Sequence, residues 1–430
     1  MKPILSLLAC ACIASLPMFH AGAQSVEACQ AAAEQNYPLI KQYGLIEKTA
    51  ALSIENIGKS WLPQITASGQ ATWQSDVVSW PEGMSTLMQQ AGLQLKGLKK
   101  DQYRIGIDIQ QTLYDGGSIG LQKNVARLTA DIETAETSVN LYEVRRRCNE
   151  MYFALLLLDE QIRLCRDREA LLLANEEKLE KLFRGGVAAE CDWKAMRAER
   201  LAATAKLGDL STSRNTLKRT LEVFCGIENL SPELPSDDSS FVGDSVSASH
   251  PQMRLFASRL ALTDANERSL NASLRPRLSL FASGYYGYPG YNMFEDMMRH
   301  RWTLNAMIGA RLTWNISGLY TRKADKARLA TQRQQINTAR ETFLFNTHLD
   351  VQRQNDDAQR YRTLLQQDDE IISLREDVRR AAESKLSHGL IDAAQLVRDI
   401  NEESAARIGR SQHQIEMWKT IYDKKLTTNN

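Results

Sequence analysis

The sequence predicts a mainly α-helical protein with a small β part, written as an internal two-fold repeat. Three observations carry that prediction. First, Tyr103–Leu128 recurs as Leu304–Leu329, with identities at Ile107/Ile308, Thr112/Thr313, Gly117/Gly318 and Ala126-Arg127-Leu128/Ala327-Arg328-Leu329. Second, each copy changes period halfway along. Ile105, Ile107, Ile109 and Leu113 alternate with Arg104, Asp108, Gln110 and Thr112, which is strand spacing. Past Gly117, the positions Val125, Leu128, Ile132, Ala135, Val139 and Tyr142 follow the heptad of a coiled-coil helix. Third, residues 82–231 and 290–430 contain no proline, so nothing there breaks a long helical ladder.

Taken in order, residues 1–23 read as a cleavable signal peptide. Lys2 is its positive end, Ile4–Leu16 its apolar run and Ala21-Gly22-Ala23 its cleavage site. Leu7-Leu8-Ala9-Cys10 offers a lipoprotein alternative, although Cys10 follows only a short apolar run. The first repeat, 24–248, then carries a helix over Pro38–Trp61 and strands at about 63–75 and 103–115. A long helix follows at about 118–183, and a return helix at about 190–224. The second repeat, 249–430, has a helix over Pro251–Leu274 and strands at about 277–288 and 302–316. Its long helix is expected at about 318–386 and its return helix at about 392–421. Long loops are expected over Asp76–Gln102, polar, and Tyr288–Arg301, rich in aromatic residues and methionine. At about 1.5 Å per residue each long helix would reach about 100 Å, so each return helix must share its partner with the incoming helix of the same half. Met151–Leu158 is apolar on all sides, as expected where a helix is covered from more than one direction.

The strands alternate throughout. Ile65, Ala67, Gly69, Ala71 and Trp73 share one face, as do Leu278, Leu280, Ala282, Gly284 and Tyr286, and Ala306, Ile308, Ala310, Leu312 and Trp314. The other face carries Gln64, Gln70, Gln74, Asp108, Gln110 and Arg311. Strands of this length suit a tilted membrane strand of roughly 9–11 residues. Four strands cannot close a barrel alone, and an open edge is not tolerated in lipid. Oligomerisation, with strands pairing between copies, is therefore expected. A soluble coiled-coil scaffold, a secreted structural or adhesion protein without a pore, is the alternative that the heptads alone would support.

Composition limits the chemistry. Lys+Arg number 53 against 52 for Asp+Glu, so no basic field argues for nucleic acid. No mature stretch approaches the ~18 apolar residues of a membrane helix. No P-loop, G-x-S-x-G, dinucleotide fingerprint or H-E-x-x-H occurs, and the histidines are scattered, so neither an enzyme nor a cofactor nor a metal cluster is expected. Past the signal peptide lie Cys29, Cys148, Cys165, Cys191 and Cys225, an odd number without C-x-x-C spacing. A turn centred near residue 187 sets Cys148 and Cys225 at similar height. Free, buried thiols are expected there, although a disulfide is open to them in an oxidising compartment.

With the duplication, the signal peptide, Tyr114-Asp115-Gly116-Gly117 and the tip pattern G-V-x-x-E-x-D-W at Gly186–Trp193, the chain resembles the outer-membrane efflux protein (TolC) family. The resemblance covers essentially all of the mature chain. It implies a long α-helical tunnel continuous with a β-barrel, four strands per chain and twelve per homotrimer, in the outer membrane of a Gram-negative bacterium. The implied partners are outer-membrane lipid, a periplasmic adaptor (membrane fusion) protein, and an inner-membrane pump or secretion transporter. The helix turns would dock the adaptor through Arg184, Gly185, Gly186 and Val187 and through His388, Gly389 and Leu390. By resemblance Asp192 lies at a periplasmic aperture. The second turn places Gln395 and Arg398 there, which departs from a paired acidic gate.

Overall fold

A computed structural model describes residues 24–92, 97–235 and 243–429. The expected signal peptide, with Cys10, lies outside the described residues. The chain divides into two compact units. One holds the described residues up to Ile40, Ser138–His250 and the chain from Phe343 onward; the other holds Lys41–Thr137 and Pro251–Thr342. The long helices α4 (Ser118–Arg184) and α8 (Gly318–Ser387) each contribute to both.

The unit containing Lys41–Thr137 is built on an antiparallel sheet in the order β1 (Gln64–Trp73), β2 (Asp101–Tyr114), β3 (Arg277–Tyr288), β4 (Thr303–Thr313). Helices α2 (Gln42–Gly58) and α6 (Pro251–Ser273) lead into β1 and β3. A bulge between Thr112 and Tyr114 loosens β2 just before it leaves the sheet. The strand-to-helix turn follows directly. Asp115 takes the Gly117 amide on Oδ1 at 2.9 Å and the Ile119 amide on Oδ2 at 2.6 Å, satisfying amides at the start of α4 that have no partner within the helix. Gly116 and Gly117 both adopt positive φ there, and a Cβ on Gly116 would stand 2.9 Å from Arg275.

Both stretches expected as loops carry a short helix, α3 (Glu82–Gln90) and α7 (Met293–Arg299). They are too short to reveal a periodicity in the sequence, and α7 starts on an Asn292 cap that accepts from the Glu295 amide. The two loops are tied together. Tyr288 and Met297 form a small core with Leu98, against which Val77 and Trp80 pack. The Lys99 amide donates to the Tyr288 hydroxyl at 2.9 Å, and His300 Nε2 meets the Gly97 carbonyl at 2.6 Å.

The other unit is helical. An unanticipated helix α1 (Val26–Asn36), capped by Ser25, docks on α4 and on α5 (Glu190–Cys225). Arg145 grips Glu34 through two bonds of 2.6 and 2.8 Å, and Gln30 reaches Asn149 at 2.5 Å. Tyr152, fully buried, donates to the Gln24 carbonyl at 2.7 Å and accepts from the Glu233 amide at 2.9 Å. This is the apolar stretch Met151–Leu158: Tyr152, Phe153, Leu155 and Leu156 are buried while Ala154 is exposed. The last helix, α9 (Ala393–Thr428), runs on past the apolar periodicity that ends near Ile421. Its end is fixed by the Tyr142 hydroxyl, which donates to the Leu426 carbonyl at 2.5 Å. No helix among the described residues is long and apolar enough to cross a membrane.

Candidate functional site

Two places concentrate the candidate functional residues, one in each unit. The first is the sheet. Residues paired across neighbouring strands point to the same side, and the register therefore assigns its two faces. The rows Ile65–Ile109–Ala282–Ile308, Ala67–Ile107–Gly284–Ala306 and Gly69–Ile105–Tyr286–Leu304 run across all four strands. They make one continuous apolar face. It is open to the surroundings, with Ile308 at 82% and Leu304 at 81% exposure. An uncovered apolar face of this extent marks a contact surface rather than a solvated one.

The opposite face is polar. Gln64–Gln110, Thr66–Asp108 and Gln70–Arg104 are its pairs on β1 and β2. Two arginines lie on aromatic rings within it: Arg104 over Tyr285 at 4.2 Å and Arg311 over Phe281 at 5.0 Å. Arg104 also donates to Ser283 Oγ at 3.2 Å. Glycines make room for these rings, since a Cβ on Gly106 would meet the Tyr285 Cβ at 2.8 Å and one on Gly309 the Phe281 ring at 2.8 Å. Sequence alternation finds Arg311 and Asp108 but misses the stacked rings, because Phe281 and Tyr285 are aromatic residues at polar-face positions. Among the described residues β1 and β4 are paired on one side only, so each leaves a row of backbone donors and acceptors at an edge.

The second place is the pair of helix turns. Leu182 O accepts from the Val187 amide and Phe183 O from the Gly186 amide, both at 2.9 Å; Lys385 O accepts from Leu390 and Leu386 O from Gly389, both at 3.0 Å. Each turn is therefore the same Schellman closure. The left-handed residues are Gly186 (φ +75°) and Gly389 (φ +71°). Aligning the two turns on their first glycines, Gly185 with Gly389, is off by one: Gly185 has no positive φ, and the structural equivalent of Gly389 is Gly186. The corrected match sets Val187 opposite Leu390, and both are 73% exposed.

Between the turns is a groove of about 430 Å³ whose lining includes Leu179, Val187, Ala188, Asp192, Gly389, Leu390 and Ile391. Beneath it, Leu179, Met196, Ala393 and Leu396 are buried in one cluster, with Trp193, Leu386 and Ile391 packed against it. Arg184 pairs with Glu180 at 2.6 Å and His388 Nδ1 meets the Ser384 carbonyl at 2.8 Å, so both lean back along their own helices.

The three aperture candidates are gathered at the start of α9. Asp192, in the first turn of α5, accepts the Ala393 amide of α9 on Oδ1 at 3.2 Å. Gln395 Oε1 accepts from Arg398 at 2.7 Å, and Gln395 Nε2 donates to buried Asp399 at 3.2 Å. Asp392 caps the same helix by accepting the Gln395 amide at 2.8 Å. Sequence reasoning passed over Asp392, although an aspartate three residues past a turn glycine is a recognisable cap signal.

Residues 30–226 match the family described as Outer membrane efflux protein. No curated protein matches the chain. Among solved structures, the outer membrane protein VceC of Vibrio cholerae is 13% identical, covers 94% of this chain and 94% of its own, and gives a TM-score of 0.64. CusC, whose crystal structures concern transmembrane channel formation, is 11% identical over 94% and 91%, with a TM-score of 0.68. The Neisseria gonorrhoeae MtrE outer membrane channel, in its open state, is 15% identical over 94% and 89%, with a TM-score of 0.64.

Proposed function

We infer that this chain, whose residues 30–226 match the outer membrane efflux protein family and whose fold is TolC-like, works as a trimeric exit duct of the outer membrane. The observation that carries the reading is the sheet. It has one apolar and one polar face across four strands and, among the described residues, unpaired edges at β1 and β4. Lipid suits the apolar face, a wet lumen suits the polar face, and neighbouring copies of the chain satisfy the edges. Three chains supply twelve strands, enough to close a barrel. The duct is passive, and the energy comes from an inner-membrane pump or secretion transporter.

The turns at Arg184–Val187 and His388–Leu390 are the docking points for a periplasmic adaptor. The support is the exposed pair Val187 and Leu390 at the groove between the turns. Asp192, Gln395 and Arg398 are the residues of the periplasmic aperture. The deciding experiment is native mass measurement of unheated, detergent-solubilised protein from the outer-membrane fraction, followed by planar-bilayer recording. Three chains and a conducting pore are the expected results. A stable monomer that stays in solution without detergent would leave the secreted coiled-coil scaffold as the reading.

A further inference from the structure

Three of the described cysteines converge on one place in the helical unit. Cys29 comes from α1, Cys148 from α4 and Cys225 from the last turn of α5, and their exposures are 0%, 0% and 2%. Gln30, next to Cys29, reaches Asn149, next to Cys148, at 2.5 Å, and the Cys225 side chain interacts with those of both Cys29 and Cys148. Cys225 is therefore the shared neighbour of the other two, and all three are free, buried thiols in the form described here. α1 lies directly on α5 at this point. Its far end is held there by Asn36, which donates to the Val223 and Phe224 carbonyls at 2.9 and 3.2 Å. Cys165, also buried, bonds to the Ala203 carbonyl, and Cys191 is exposed.

We propose that Cys29, Cys148 and Cys225 form a disulfide-modification site in which Cys225 is the pivot, linked to Cys29 in the exported protein, with Cys148 as its alternative partner. This rests on the reading that the chain folds outside the cytoplasm, where disulfide donors are present. The oxidant is a protein or small-molecule disulfide. The Cys225 thiolate attacks one sulfur of the donor, forming a mixed disulfide and releasing the first donor thiolate, which is protonated. The Cys29 thiolate then attacks the Cys225 sulfur, forms the Cys29–Cys225 bond and expels the second donor thiol. Two protein thiols lose two electrons, and the donor ends as two thiols carrying both protons.

Timing follows from burial. In the docked state the packing excludes a donor, and hydrogen bonding with burial pushes the Cys29 thiol well above the ordinary range and Cys225 to about 12, which suppresses the thiolate that must attack. The exchange therefore happens while α1 is still undocked, and docking then seals the product. The bond fastens the N-terminal helix across 225 − 29 = 196 positions of chain, a long loop closure of the kind a cross-link constrains most in the unfolded chain.

Full-length protein is extracted from the membrane fraction, denatured with an alkylating agent present, and digested without reduction. The expected map contains one linked peptide pair, Cys29 with Cys225, with Cys148, Cys165 and Cys191 alkylated. In Cys29→Ser the link moves to Cys148–Cys225, and in Cys225→Ser no link remains. All five thiols alkylated in the parent protein, or a Cys29–Cys148 link that persists in Cys225→Ser, overturns the proposal. Should the variants fold poorly, the parent map alone decides it. Refolding the same chain in detergent with a glutathione–glutathione disulfide mixture separates the site from the compartment. A Cys29–Cys225 link formed there but missing from extracted protein supports the site and counts against the exported location. A link in neither overturns the site.

Discussion

Asp192 shows how one side chain can belong to two helices. It sits in the first turn of α5, yet its carboxylate accepts an amide from the start of α9, where a negative charge also complements the dipole of that helix. Asn at this position keeps an acceptor and removes the charge. Asp192→Asn is therefore expected to leave the turns folded and to weaken cation preference in planar bilayers. Asp192→Ala is expected to lower the thermal stability of the tip as well, by about 0.5–1 kcal/mol. Identical selectivity in the Asn variant and the parent would take Asp192 out of the aperture. His250 makes a second test. Its ring lies 5.1 Å from that of Tyr142 and 5.2 Å from that of Phe343, and burial holds its imidazole below the ordinary range. The unfolded chain thus takes up this proton first. As pH falls below about 6.5, stability is lost until pH passes the folded value. His250→Phe is expected to flatten the dependence of melting temperature between about pH 7 and pH 5, the range in which histidine titrates.

At the scale of elements, the turns separate two neighbouring glycines. Gly186 and Gly389 hold left-handed φ, so alanine at either is expected to destabilise its turn by roughly 1–2 kcal/mol. Gly185 has no such conformation, and a Cβ there would stand 3.5 Å from the Leu182 carbonyl oxygen, an ordinary contact. Gly185→Ala is expected to be neutral or stabilising by up to about 1 kcal/mol. Thermal unfolding and limited proteolysis at the turns check the contrast. The alternation of the strands, the absence of proline and the glycine turns were legible in the sequence because each follows from a local rule of backbone geometry. Which of two adjacent glycines turns left-handed was not, since Gly185 and Gly186 differ only in their place in the hydrogen-bond ladder. Helix α1 was missed for another reason. It has one full apolar face only when α4 and α5 are present to cover it, and what pins it are the long-range pairs Glu34–Arg145 and Gln30–Asn149. The stacked pairs Arg104–Tyr285 and Arg311–Phe281 were hidden likewise, because each needs two strands in register.

For the whole molecule, the face assignment of the sheet can be read by substitution. A lysine in place of Ile308 or Ile107 puts a charge on the apolar face and is expected to reduce the stability of the membrane-inserted form by about 2–4 kcal/mol at mid-membrane depth. Lysine in place of Gln70, on the polar face, is expected to leave stability nearly unchanged and to shift ion selectivity. Heat-dependent dissociation of the oligomer on gels, beside single-channel recording, distinguishes the two outcomes. Bulky substitution at Val187 or Leu390 is expected to abolish export while leaving the oligomer intact, because both stand clear of the packed cluster beneath them.

The one-sided pairing of β1 and β4 also bears on kinetics. Among the described residues a single chain carries two open rows of backbone groups and one uncovered apolar face, so under the proposed trimer its stability is inseparable from the supply of other chains. Ring closure under the proposed trimer requires three such chains, which makes the rate of duct formation rise more steeply than linearly with the rate of synthesis. At low expression, isolated chains linger with their edges exposed, and proteolysis and mispairing compete with closure. Halving synthesis is then expected to lower the number of finished ducts by more than half.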